Sequence, residues 1–113
     1  MLPHEAAHFR ILRLIEEHPE ISQRELARSL GVSVGKTHYL LKALLEKGLV
    51  KMDNFRRCDN KLGYAYWLTP SGMAAKIALT RSFLLHKEGE YQMLRREISE
   101  LRAELEIEAG EVS

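Results

Sequence analysis

Basic and aromatic residues recur at helical spacing in the segment from Ser33 to Lys47. On a helical wheel they share the polar face or flank it: Gly35, Lys36, His38, Tyr39, Lys42 and Glu46. Lysine binds phosphate, and residues in the first half of such a helix can reach base edges in a DNA major groove. We therefore predict a phosphate contact for Lys42 and base contacts for four residues: Gly35, Lys36, His38 and Tyr39.

Two further groups are placed for contacts with a DNA backbone or minor groove. Helix starts present amide groups to anions, so we predict backbone contacts near four residues: Ser22, Gln23, Arg24 and Ser33. The segment from Asn54 to Lys61 carries three cations: Arg56, Arg57 and Lys61. Arginine is favoured in narrow A·T-rich minor grooves, where negative potential is concentrated. These cations complete the predicted DNA-binding set.

Two short capped helices must position the first group. Ser22 and Glu25 form a capping box at the start of one helix, and Gly31 is suited to the left-handed conformation that ends it. Ser33 caps the next helix, which ends at Gly48. Such a tightly joined pair predicts a helix-turn-helix. On its buried side the second helix should present Val34, Thr37, Leu41, Leu44 and Leu45.

The flanking segments predict the rest of the domain. A helix from His4 to His18 should precede the pair, because Pro19 ends it. Strands at Leu49–Met52 and Leu62–Leu68 should form a wing, after which Thr69 caps a new helix. The predicted fold class is mainly α with a small β-hairpin wing, a winged helix-turn-helix domain plus a long C-terminal coiled-coil helix.

The last helix, from Pro70 to about Glu108, is too long for one small domain to cover. Six of its residues fit heptad positions a and d, with Lys87 as the exception: Leu84, Tyr91, Leu94, Ile98, Leu101 and Leu105. Glutamates then fall at g and arginines at e, so parallel pairing of two copies sets opposite charges together. We predict a DNA-binding domain at 1–72, a dimerisation helix at 73–108 that makes a homodimer, and a disordered tail at 109–113.

Charge is divided unevenly, although the formal net charge is only +1. Residues 31–68 carry seven Lys or Arg against three Asp or Glu, whereas residues 71–113 carry six against eight. Only the first part is expected to meet a polyanion. No apolar stretch approaches the roughly 20 residues of a membrane span, and no secretory signal is recognisable. With a single cysteine, Cys58, the composition predicts a cytoplasmic protein.

Other residues with reactive side chains have simpler interpretations. His4 and His8 have the spacing of metal ligands, but no third ligand lies nearby in sequence, so we predict no metal site. Cys58 beside Arg57 could sense oxidants, although an ordinary wing-tip residue is favoured. No catalytic arrangement and no cofactor-binding loop is recognisable, so neither an enzymatic activity nor a cofactor is predicted.

The aromatic residues of the second strand have two interpretations. Tyr64, Tyr66 and Trp67 could form a platform on which single-stranded nucleic acid stacks. A place in the core of the wing is favoured, because a strand of this type must bury part of its surface against the helices.

Three motifs carry a family resemblance: the helix pair ISQRELARSLGVSVGKTHYLLKALLEKGLVK, the basic segment after it and the junction YWLTPSG. Together they resemble MarR-type winged-helix regulators over residues 8 to 105. The run NFRRCDNKLGYAYWLTPSG and the coiled tail are similar to small regulators associated with exopolysaccharide biosynthesis loci. The resemblance implies a transcription factor that binds a palindromic operator as a dimer, with Ser33–Lys47 as recognition helix and Asn54–Lys61 as wing.

The chain departs from this family in one respect. Typical MarR proteins are longer and build a dimer domain from helices at both ends, with an effector pocket where it meets the DNA-binding domain. Here one short segment precedes the first helix and one helix follows the wing, so no small-molecule effector site is predicted. Two other classes stay open, a winged helix that binds a protein partner and a general architectural DNA binder.

Overall fold

The computed structural model describes residues 3–56 and 62–112, and the side chains of residues 5–53 and 64–110. These residues contain four helices and one β-hairpin: α1 Pro3–Glu17, α2 Gln23–Leu30, α3 Val34–Glu46, β1 Val50–Arg56, β2 Leu62–Leu68 and α4 Pro70–Val112. They form two compact units, a winged unit that ends at Arg81 and a C-terminal unit that begins at Ser82. The predicted fold class, a winged helix-turn-helix followed by a long helix, is confirmed.

Strand β1 and helix α4 end about four residues beyond their predicted last residues. Strand β1 extends to Arg56, beyond the predicted Met52, because β2 pairs with it along its whole length from Val50↔Leu68 to Arg56↔Leu62. The predicted wing segment Asn54–Lys61 therefore begins with three strand residues.

Helix α4 runs to Val112, so residues 109–112 are helical and the predicted disordered tail is wrong there. No proline follows Glu108, and a single glycine so near the end lowers helix stability without stopping the helix. Within residues 3–56 and 62–112, no helix has the length and apolar character needed to cross a membrane.

Both helices of the helix-turn-helix are capped as predicted. The Ser22 hydroxyl accepts a hydrogen bond from the Glu25 amide at 3.1 Å, and the Ser33 hydroxyl accepts one from the Lys36 amide at 3.0 Å. Gly31 ends α2 with φ +72°, a left-handed conformation that other residues rarely adopt. These contacts fix where each helix begins and ends, and so fix the direction of every side chain on α3.

The core of the winged unit lies between α1, α2, α3 and the base of the hairpin. Its least exposed side chains are Ile11, Leu12, Ile15, Leu26, Thr37, Leu41, Leu44 and Val50. Tyr66 joins them, and its amide donates to the Pro19 carbonyl at 2.8 Å. The hairpin base is therefore tied to the connection between α1 and α2.

Two α3 residues correct the wheel prediction. Val34 is 46% exposed, although the wheel directs it toward the core, because it is the first residue of the helix and lies past the end of the core. Leu40 is buried, because it lies next to Leu44 around the helix axis, at the edge of the buried stripe. A wheel gives the direction of a side chain but not the extent of the core along the axis.

Only Tyr66 among the three described wing aromatics takes the predicted place in the core. Tyr64 is 54% exposed and Trp67 is 42% exposed. Because side chains alternate along a strand, Tyr64 shares the face of Tyr66 but lies two residues further from the hairpin base. Trp67 lies on the opposite face, directly across from Lys51.

The junction between wing and α4 is held by contacts between the LTPSG motif and the backbone of Gly48 and Leu49. The Thr69 hydroxyl donates to the Gly48 carbonyl at 2.6 Å and accepts from the Gly72 amide at 3.0 Å. Gly72 packs directly on Leu49, where a Cβ atom would lie 1.9 Å from the Leu49 carbonyl oxygen. Thr69 is thus the predicted cap, and Gly72 allows an approach that no other residue permits.

Candidate nucleic-acid interface

The predicted contact residues of α3 all lie on its exposed side. They are Ser33, Gly35, Lys36, His38, Tyr39 and Lys42. Tyr39 is 66% exposed, so nothing in the fold requires an aromatic ring at that position. At the start of α2, Arg24 is exposed, whereas Ser22 and Gln23 are half-buried.

The exposed side of α3 divides into two stripes. On one stripe the Lys36 ammonium lies 5.3 Å from the centre of the Tyr39 ring, a cation–π contact that holds both side chains on the outer face. Beside it His38 and Lys42 form a second exposed stripe that faces the wing, next to half-buried Leu45 and buried Leu41. The sequence wheel predicted one polar face and did not separate these two stripes.

An open groove of about 380 Å³ lies between the second stripe and the wing. Its walls are formed by α2, α3 and the two strands: Gln23, His38, Leu41, Lys42, Leu45, Met52, Tyr64 and Tyr66. We call this the wing groove. It brings together three predicted contact residues from α2 and α3, and it adds Tyr64, which the sequence pattern assigned to the core.

The Lys42 ammonium lies 4.0 Å from a Glu46 carboxylate oxygen. Both side chains are about two-thirds exposed. An exposed pair of this kind contributes about 0.2–1 kcal/mol, so it does not hold Lys42 against a stronger partner. The cation therefore stays available to an anion at the wing groove.

Both capping serines use their hydroxyl oxygens as acceptors for helix amides. Each hydroxyl can still donate a hydrogen bond to a phosphate oxygen. The helix start adds partial positive charge, which favours an anion close to Ser33 and Lys36.

Arg10 is a residue that sequence reasoning missed. Its guanidinium donates to the Leu30 carbonyl at 3.5 Å and to the Ser29 carbonyl. These carbonyls end α2, where a cation also interacts favourably with the helix dipole. Arg10 thus fixes α2 to α1. A lone arginine on an amphipathic helix gives no sequence signal for that role.

Several predicted residues lie wholly or partly outside the described part of the chain. Arg57, Cys58 and Lys61 are outside the described residues. Arg56 is the last residue of β1, but its side chain is not described, and the same holds for His4 of the predicted histidine pair. Among the side chains that are described, no group of three or more His, Cys, Asp or Glu could hold a metal ion.

The C-terminal unit presents the predicted dimerisation residues to solvent. Within residues 82–110, no described side chain is buried. The six heptad residues are between 41% and 66% exposed: Leu84, Tyr91, Leu94, Ile98, Leu101 and Leu105. Lys87, the exception in the heptad, lies 3.3 Å from Glu90 and over the Phe83 ring. Its ammonium thus has partners on its own helix.

Comparison with known proteins first defines the class of domain. Residues 5–51 match the family described as winged helix-turn-helix DNA-binding. This segment spans α1, α2, α3 and the first residues of β1, so the matched part contains the helix-turn-helix and the start of the wing. No curated protein matches the chain in sequence.

Solved structures then show which proteins have a similar fold. A mutant of MepR from S. aureus is 18% identical with a TM-score of 0.63, over 100% of this chain and 81% of that one. A second MepR mutant, bound to an oligodeoxyribonucleotide, is 16% identical with a TM-score of 0.61, over 93% and 80%. MarR from Staphylococcus aureus, in complex with salicylate and kanamycin, is 21% identical with a TM-score of 0.55, over 73% and 53%. At these identities the likeness shows a shared fold, that of winged helix-turn-helix regulators.

Proposed function

We propose that this chain is a MarR-type transcriptional regulator that binds double-stranded DNA sequence-specifically, as a homodimer on a palindromic operator. The observation that carries the proposal is the outer stripe of α3. There Lys36 and Tyr39 contact each other, are exposed and take no part in the core. A cation and an aromatic ring on the polar side of a capped second helix suit entry into a major groove.

The shared fold supports DNA as the partner, since one MepR structure of this fold contains an oligodeoxyribonucleotide. In the proposed complex α3 enters the major groove. Phosphate contacts come from the helix starts and Lys42, and the flanking minor groove is reached by the wing cations: Arg56, Arg57 and Lys61. The outer stripe reads bases, because phosphate contacts alone carry no sequence information.

The second part of the proposal concerns α4. Burying one leucine side chain contributes about 1.5–3 kcal/mol, so the six exposed heptad residues supply ample affinity for a second copy. Each exposed ion pair adds only about 0.2–1 kcal/mol and therefore sets orientation. Parallel pairing places Glu97 beside Arg102 of the second copy. Its two-fold axis would set the half-sites about 34 Å apart, one duplex turn.

The genes controlled by such a regulator are part of the same proposal. The wing sequence and coiled tail resemble small regulators of exopolysaccharide biosynthesis loci, so promoters of such genes are the first duplexes to examine. Genome-wide mapping of bound DNA identifies the targets independently of that resemblance.

Binding to a duplex selected from a random pool by the wild-type protein tests the proposal. We expect Lys36→Ala and Arg56→Ala each to weaken binding about ten- to hundredfold, with the melting temperature unchanged. Lys51→Ala is the matched control, because it removes the same charge from the opposite face of the wing. Wild-type affinity in a variant that carries both Lys36→Ala and Arg56→Ala would contradict the proposal.

Two measurements separate the rival classes. Phosphate contacts should give a slope of about −0.9 per contact when log affinity is plotted against log salt, whereas a protein-binding winged helix shows little salt dependence. An architectural binder would hold unrelated duplexes as tightly as the selected one. The proposal predicts a steep slope together with a clear preference for the selected duplex.

A further inference from the structure

We infer that the wing groove seats one sugar–phosphate strand of the duplex, and that the Tyr64 hydroxyl donates a hydrogen bond to a phosphate of that strand. The inference rests on the proposed function and deepens it. It assigns a contact to a residue that the sequence pattern placed in the core.

The position of Tyr64 is set by its neighbour in β2. Tyr66 is 2% exposed, and its amide is bonded to the Pro19 carbonyl, so this part of the strand is fixed against the helices. Tyr64 lies on the same face two residues away and lines the groove opposite α3, yet it is 54% exposed. The core therefore does not need the ring, and its hydroxyl is available to an outside partner.

The lining of the groove matches the chemistry of a DNA strand. Hydrogen-bonding side chains come from Gln23, His38, Lys42 and Tyr64, whereas apolar contact comes from Leu45 and Met52. A sugar–phosphate strand alternates anionic phosphates with less polar deoxyriboses, so it can use both kinds of surface. Among the described lining residues none is Asp or Glu, which favours an anion as occupant.

A second open groove has an acidic lining that is unsuited to DNA. It has a volume of about 540 Å³, lies beside the connection between α1 and α2, and is lined by Glu17, His18, Pro19, Glu20, Ile21 and Glu25. Three carboxylates there would repel a phosphate. Gln23 and Glu25 lie in the same first turn of α2, yet they line grooves of different charge.

The proposed docking of the domain also requires a backbone strand at this place. The outer stripe of α3 is assigned to the major groove and the wing cations to the adjacent minor groove. One strand of the duplex separates these two grooves, and it must pass between α3 and the wing. The wing groove is the space that lies there.

Affinity measurements with paired variants test the inference, using fluorescence anisotropy on a duplex selected by the wild-type protein. Tyr64→Phe removes only the hydroxyl, so we expect affinity to fall about three- to tenfold with an unchanged salt slope. Trp67→Phe, on the opposite face of the same strand, should leave affinity unchanged. Lys42→Gln should reduce the magnitude of the slope of log affinity against log salt by about 0.9, whereas Lys51→Gln should leave it unchanged.

Chemical modification of single DNA phosphates should locate the phosphate that Lys42 contacts. Replacing single phosphates by methylphosphonates should identify one position at which Lys42→Gln no longer weakens binding, because the charge it contacted is already removed. Circular dichroism of each variant should show an unchanged melting temperature, since Lys42 and Tyr64 are exposed.

The outcomes separate this inference from the proposed function. If Tyr64→Phe binds like the wild type while Lys36→Ala does not, the inference is overturned and the proposed function stands. If the wild-type protein selects no duplex at all, the proposed function fails, and the inference fails with it.

Discussion

The two units of this chain differ in the exposure of their large apolar side chains. In the winged unit large apolar side chains converge from three helices and a hairpin, and several are completely buried. In the C-terminal unit the heptad residues are 41–66% exposed, and no described side chain within residues 82–110 is buried. A long helix gains most of its stability in proteins from packing. The comparison therefore separates a part with its own core from a part whose described side chains have none.

Glycine substitutions should give the largest difference in stability between the two units. Gly72→Ala places a methyl group 1.9 Å from the Leu49 carbonyl oxygen, so the backbone must shift to relieve the clash. We expect the winged unit to lose about 3 kcal/mol or more of stability, measured by chemical denaturation.

Gly89→Ala is the matched change in the C-terminal unit. A Cβ atom there meets nothing within 4 Å, so the substitution should stabilise the helix by about 0.5–1 kcal/mol. Equal effects of the two substitutions would show that the units do not differ in packing as described.

Charge exchange on α4 should have a smaller effect that reports the orientation of the pair. In a parallel dimer Glu97→Arg sets arginine against Arg102 of the second copy, so dimer affinity should fall several-fold in analytical ultracentrifugation. Each lost pair accounts for about 0.2–1 kcal/mol. Glu97 is preferred over Glu90 for this test, because Glu90 already contacts His86 and Lys87 on its own helix.

The second substitution decides between orientations. Adding Arg102→Glu to Glu97→Arg restores the opposite charges and should restore dimer affinity in a parallel pair. In an antiparallel pair g positions face g and e positions face e, so Glu97 and Arg102 do not meet and adding Arg102→Glu would not restore the affinity that Glu97→Arg changes. That result would contradict the parallel arrangement.

Local chemistry made much of the fold predictable. Ser22, Gly31, Ser33 and Thr69 act through contacts with residues only a few positions away, or through their own backbone conformation, and the structure confirms each of them. Strand β2 was predicted to the residue because its aromatic run is bounded by clear turn formers. The β1 end was missed, because pairing with β2 extends the strand through Asp53 and Asn54, which disfavour strands by themselves.

The candidate site was predictable only in part, because its geometry depends on contacts between distant segments. The exposed residues of α3 follow from periodicity, yet their division into two stripes depends on where the wing lies. Tyr64 and Tyr66 are indistinguishable by alternation, and only the depth of the core separates an exposed ring from a buried one. The role of Arg10 depends on α2 ending beside α1, a contact 19 or 20 residues away in sequence.

The most direct test of the account is truncation after His86, which removes most of the heptad stripe and keeps the winged unit. Mass by light scattering and affinity for selected duplexes with one or two half-sites should be measured for both chains. We predict a full-length dimer that binds two half-sites about 100-fold more tightly than the truncated monomer, with equal affinities for one half-site. A truncated chain that stays dimeric, or that binds two half-sites as tightly as the full chain, would contradict the account.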